Sequence, residues 1–156
     1  MATAVKKTPL KQTSRTNDPE RTMAEILLVA NKEFADKGLA GARIDEIAAA
    51  TRTSKRMIYY YFASKEGLYL AVLEAAYRRM RQIESDLHLE DLEPVQALKA
   101  LVEFTYDHHQ ANENFIRLVM NENIQRGEYL GQSKDIQQLN GSALQTIQNL
   151  YERGVK

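Results

Sequence analysis

Arg56 and Tyr60 lie four residues apart, flanked by Met57 and Tyr59, with Lys55 just ahead of them in the stretch TRTSKRMIYYYFASKEGLY at residues 51–69. On an α-helix this spacing gathers a guanidinium, an ammonium, two phenols and a thioether around one face. The chemistry on offer is recognition rather than bond-making. Arginine and lysine address guanine edges or phosphates, tyrosine hydroxyls donate to phosphate oxygens, and an apolar tip such as Met57 meets a thymine methyl. The same face also suits ordinary solvated surface, so its meaning depends on the elements that hold it.

Groups for catalysis are sparse. His88, His108 and His109 are the only histidines, and the adjacent pair points to different helix faces rather than forming an i, i+4 metal clamp. Asp45 and Glu46 read as helix-end charges, and neither a glycine-rich phosphate loop nor a nucleophile elbow is present. The absence of cysteine excludes disulfides and cysteine-based zinc sites. The expectation is a protein that is not an enzyme, with no catalytic residue, no metal and no cofactor.

The elements that position the basic face are legible around it. Ser54 caps a short helix that Ile58 and Phe62 anchor from the opposite side. Before it, Ile44, Ile47 and Ala48 recur at helical spacing, with Asp45 and Glu46 in the first turn, and Thr51, Arg52 and Thr53 make the connection. The unit is helix, turn, helix, with the second helix as reader. Upstream, Asp18 caps and Pro19 opens a first helix with the stripe Met23, Ile26, Leu27, Ala30 and Phe34, stopped at Gly38. Residues 1–17 carry Lys6, Lys7, Lys11 and Arg15 with few large apolar side chains, and read as a disordered basic arm. Such an arm either follows a DNA backbone or enters the minor groove, or serves only as a solubilising tail.

Downstream, Ser64 caps a longer helix with apolar positions Leu68, Val72, Ala75, Ala76, Met80, Ile83 and Leu87. An acidic linker from Glu90 to Pro94 precedes a fifth helix with the stripe Leu98, Leu101, Val102, Thr105 and His109. A sixth helix, from about Asn114 to Arg126, uses Phe115, Ile116, Val119, Met120 and Ile124. A seventh, from about Ser133 to Arg153, uses Ile136, Leu139, Ala143, Ile147 and Leu150, with Gly141 as a candidate kink. The fold class is all-α, about seven helices in all. The expected division is a basic arm at 1–17, a helix-turn-helix domain at 18–63 and a helical regulatory domain at 64–156.

The 156 residues suit one or two small helical domains, and an apolar share of 44% suffices for a core. A net charge of zero hides an asymmetry. Residues 1–65 hold twelve Lys and Arg against seven Asp and Glu, whereas residues 66–156 hold nine against fourteen. The excess of five positive charges falls on the half with the reader, where phosphates would be met. No apolar run approaches a membrane span and no secretory leader is evident, so the chain reads as cytoplasmic, with no membrane partner.

The segment FADKGLAGARIDEIAAATRTSKRMIYYYFASKEGLYLAVL, residues 34–73, resembles the DNA-binding domain of TetR-type transcriptional regulators. Its landmarks are Phe34 and Gly38, then Ile47 and Ala48, then Ser54, Tyr59, Tyr60 and Phe62, and finally Ser64, Lys65, Glu66 and Leu68. It departs from the pattern at Ala42, Arg52, Tyr61 and Arg56, where relatives commonly carry Thr, Gly, His and a small residue. At Arg52 the turn either takes another geometry or forces arginine into a strained one.

The resemblance implies double-stranded DNA as partner, a palindromic operator read by a homodimer. The candidate contacts are Arg43, Arg52, Ser54, Lys55, Arg56, Met57, Tyr59, Tyr60, Tyr61 and Lys65, with Lys65 inheriting a backbone contact. It also implies an unknown small-molecule effector in the regulatory helices, where Tyr77, Phe104, Tyr106, His109, Phe115, Met120 and Asn123 are the candidates. Relatives usually continue through two further helices that build most of the subunit interface, so the chain reads as shortened at its C-terminus. Three functions stay open: a repressor released by its effector, an activator or ligand-independent regulator, and a helical interaction or small-molecule-binding module that does not touch DNA.

Overall fold

The computed structural model describes residues 18–155. Seven α-helices follow one another: α1 Pro19–Gly41, α2 Ile44–Thr51, α3 Lys55–Phe62, α4 Lys65–Ser85, α5 Pro94–Ala111, α6 Glu113–Ile124 and α7 Lys134–Gly154. Short 3-10 turns occupy Leu89–Asp91 and Leu130–Gln132. The fold is all-α, and the basic arm expected at 1–17 lies outside the described residues.

Most helix starts follow from local chemistry. Asp18 accepts from the amides of Glu20 and Arg21 with Pro19 in the first turn, and Ser54, Ser64 and Ser133 each accept from an amide three residues on. The start of α2 is different. Its flanking residue Arg43 caps no amide with its side chain, but the Arg43 amide itself donates to Glu33 Oε1 at 3.1 Å. A carboxylate from α1 thus ties down the chain where Ala42 offers no hydroxyl. Lys37 bonds both Glu33 and Glu46 and strengthens the same corner.

α1 packs on α2, α4 and α6, while α4 also meets α3 and α7, and α5 lies against α7. Ile26, Ala30, Phe34, Ile47, Ile58, Leu68, Leu73 and Leu118 form one continuous core across helices on both sides of residue 64. A smaller cluster of Leu89, Ala97, Leu101 and Leu150 closes the far end. Leu89, just before the stretch that reads as an acidic linker, is buried, and Arg153 Nη1 donates to its carbonyl at 3.3 Å.

The structure corrects several helix faces. α5 turns Ala97, Leu101 and His108 inward and leaves Leu98 and Val102 exposed, because small Ala97 permits the close approach to α7 and the first 3-10 turn. On α6 the inward residues are Phe115, Leu118 and Glu122, whereas Met120 and Ile124 face out. α4 buries Tyr69, Leu73 and Tyr77 beside the expected Leu68, Val72 and Met80. α7 runs as one helix through Gly141, with no kink, and Ile147 is half in solvent.

Candidate nucleic-acid interface and regulatory groove

The reader helix α3 is held by one deep anchor. Ile58 has no exposed surface, a burial that stabilises the fold by about 1.5–3 kcal/mol. Phe62 and Tyr61 pack on the same core from its edge. The opposite face carries Arg56 and Tyr60 into solvent, Tyr60 being 78% exposed and Tyr59 43%. The Tyr60 ring rests edge-on against Tyr61 at 5.3 Å, so Tyr61 buttresses the face more than it extends it. Met57 is half-buried beside them.

The turn before α3 settles the question raised by Arg52. Its backbone takes φ 52° and ψ 32°, the left-handed geometry that glycine would supply. The Thr53 amide donates to the Ala48 carbonyl at 3.0 Å and the Arg52 amide to that of Ala49 at 3.3 Å, which is the Schellman pattern. The turn keeps its geometry and arginine bears the strain, with its side chain exposed.

Beyond α3 the corner is tighter still. The Ser64 amide donates to the Phe62 carbonyl at 2.7 Å across Ala63, whose φ is 64° and ψ −48°, a strained γ-turn. Gly67 lies against that carbonyl so closely that a Cβ would come within 2.1 Å of its oxygen. A salt-bridged rim surrounds the reader: Asp45 pairs with Lys55 and, at 3.8 Å, with Arg43. Lys65 Nζ donates to the Ala40 carbonyl at 3.3 Å, at the junction of α1 and α4. All ten candidate DNA contacts thus lie on α3, its two flanking corners and the start of α2.

A groove of about 430 Å³ opens between α4, α5, α6 and α7. Tyr77, His109 and Phe115 line it, with Tyr77 and Phe115 rings 5.4 Å apart. The other four candidates for ligand contact are not brought to it. Tyr106, Met120 and Asn123 point to solvent on outward helix faces, and Phe104 packs instead on His108 at 5.6 Å. Arg81, Thr105 and Asn140 supply polar groups to the groove that the sequence did not mark out, Arg81 Nη2 reaching Asn140 Oδ1 at 3.3 Å. The signal for Arg81 was its place one turn past Tyr77 on the same helix face. His88, Glu90 and Asp91 gather on an exposed loop without a buried or otherwise preorganised donor.

Residues 26–72 match the family profile described as "Bacterial regulatory proteins, tetR family", and residues 94–156 match "Tetracyclin repressor-like, C-terminal domain". The chain belongs to the tetR family. Its relatives include the HTH-type transcriptional repressor NicS of Pseudomonas putida, 36% identical over 140 residues, covering 90% of this chain and 66% of that protein. The HTH-type transcriptional repressor SCO4008 of Streptomyces coelicolor is 32% identical over 139 residues, covering 88% of this chain and 69% of that one. The solved structure of HlyIIR, a hemolysin II transcriptional regulator, superposes with a TM-score of 0.67 at 26% identity, over 88% of this chain and 74% of its own. The chain spans about two thirds of the length of these two curated relatives. The family is one of transcriptional regulators, and among this chain's described residues no helix is long and apolar enough to cross a membrane.

Proposed function

We propose that this tetR-family chain is a repressor that reads a palindromic operator through α3 and releases it when a small molecule enters the groove between α4 and α7. Residues 18–63 serve as the DNA-binding domain, residues 64–156 as the regulatory domain and residues 1–17 as a basic arm. The observation that carries the reading is the reader face itself, Arg56 and Tyr60 held outward over a fully buried Ile58. In a homodimer, two such faces enter successive major grooves about 34–36 Å apart. Arg56, Met57 and Lys55 meet base edges, while Tyr59, Tyr60, Ser54, Arg43, Arg52 and Lys65 hold the backbone. Asp45 shares its carboxylate between Arg43 and Lys55, and both cations are freed for phosphate when DNA arrives.

The groove suits an effector of modest size with an apolar body. Aromatic rings and Leu101, Val119, Leu144 and Ile147 make its walls, and Thr105, His109 and Asn140 offer hydrogen bonds. Occupancy that favours a shifted α4 lowers operator affinity by a coupling free energy of about 1–3 kcal/mol.

Selection of duplexes from a random pool, followed by salt titration of the winner, tests the reading. Arg56→Ala and Met57→Ala should each relax sequence preference, by about 1–3 kcal/mol where the side chain reads a base, and Tyr60→Phe and Lys65→Ala should weaken all sequences alike. Binding that ignores all four substitutions refutes the face. A compound screen against the selected duplex then identifies what releases it.

A further inference from the structure

Glu122 is a carboxylate with no exposed surface, one helical turn past the groove residue Val119 on α6. Its Oε1 accepts from the Tyr69 hydroxyl of α4 at 2.9 Å. Its Oε2 accepts from the amides of Tyr129 and Leu130 in the α6–α7 connection, at 3.1 and 3.0 Å. A buried carboxylate is tolerated only when its lone pairs are met, and an apolar side chain would fill this space without that demand. What the carboxylate adds is register: it fixes α4, α6 and the connection to one another through directional bonds.

The acceptor's main partner is itself held. The Tyr69 ring stands edge-on to Phe34 at 5.1 Å and to Tyr129 at 5.2 Å, and next to Glu122 the Asn121 amide donates to the Phe34 carbonyl at 3.3 Å. α4 and α6 therefore meet at two matched stations. Tyr77 faces Phe115 in the groove, and Tyr69 holds Glu122 near the reader. The stations are eight residues apart on α4 and seven apart on α6, two turns in each case. An occupant that parts Tyr77 from Phe115 displaces α6, and Glu122 travels with it.

We propose that the Tyr69–Glu122 bond is the coupling that carries motion of α6 to the first turns of α4 and so to α3, with both residues acting as positioning residues. This rests on the reading of α3 as a DNA reader. Tyr69 lies two residues past Gly67, whose backbone abuts the end of α3. Coupling between two sites is reciprocal, so DNA bound at α3 must in turn tighten the α6–α7 connection.

Hydrogen exchange of the 156-residue chain, free and saturated with its selected duplex, tests this. In the wild type, DNA should slow exchange of the Tyr129 and Leu130 amides at least about tenfold, whereas in Tyr69→Phe they should stay within about twofold of the free protein. The Phe variant keeps the ring between Phe34 and Tyr129 and loses only the hydroxyl, so a bond that merely stabilises the fold would leave the response to DNA in place. Glu122→Gln should lose the response as well, and Tyr69→Phe decides the matter if the Gln variant does not fold. A response that persists in Tyr69→Phe, or a wild type that binds DNA with no change at these amides, overturns the coupling. A wild type that binds no duplex sinks the DNA-reading function instead, and the coupling falls with it.

Discussion

Arg52 occupies the position of a Schellman turn where glycine has least to lose, and it does so with a φ of 52°. A left-handed conformation costs an L-residue about 1–2 kcal/mol, part of which glycine returns through its freer unfolded state. Arg52→Gly should therefore raise stability by about 0.5–1 kcal/mol, seen as a higher melting temperature. The same variant should bind DNA more weakly and with a shallower salt dependence, since a phosphate partner goes with the side chain. Unchanged DNA binding would remove Arg52 from the DNA-facing residues. At this scale the sequence was informative wherever side chain and backbone interact locally: Asp18, Ser54 and Ser64 all cap as expected. Glu122 was invisible for the opposite reason. A lone Glu on a helix reads as solvated, and its partner Tyr69 lies 53 residues away in the chain.

Among the elements, the joint between α3 and α4 is the most constrained. The Phe62 carbonyl that would meet a Cβ at 2.1 Å from Gly67 is backbone, so it has no rotamer to yield. Gly67→Ala should push α3 off its seat, lowering stability by about 1–3 kcal/mol and reducing DNA affinity beyond what the stability loss explains. Denaturant melts and duplex titrations on the same preparation separate the two effects; full affinity in the folded variant would show that the joint can open. The helices themselves were legible from caps and periodicity, but their buried faces were less so. α5 carries apolar side chains on more than one face, with Val95, Leu98, Val102 and Tyr106 exposed while Ala97 and Leu101 are buried. Which face turns inward is decided by the fit to α7 and not by hydropathy alone.

On the scale of the whole molecule, one shared core links the reader to the groove, and acid should test it at a single point. His108 is buried against Phe104 and Phe115, with Nδ1 unpartnered among the described residues. Burial first, then the neighbouring His109 and Arg79, hold its pKa below the ordinary 6.5. Below pH 6.5 the unfolded chain binds a proton that the folded one refuses, so stability falls as the pH drops through this window. Urea melts on either side of pH 6.5 should show that loss in the wild type and a smaller one in His108→Leu; equal losses would place the acid sensitivity elsewhere. The helix-turn-helix landmarks were enough to place the chain in its family, since they lie within the short stretch of residues 34–73. The groove was not, because Tyr77, Arg81, His109, Phe115 and Asn140 converge from four separate helices.

The turn at Ala63 has a mechanical meaning. Between the last residue of α3 and the first of α4, Ser64 is bonded back across Ala63 and Gly67 is pressed against the same carbonyl, so one backbone oxygen ties both sides of the joint. The knee is bonded on both sides. Under the proposed reading, a joint held this way should pass a swing of α4 on to Arg56 and Tyr60, and a longer turn here should make a reader more tolerant of operators with the wrong spacing.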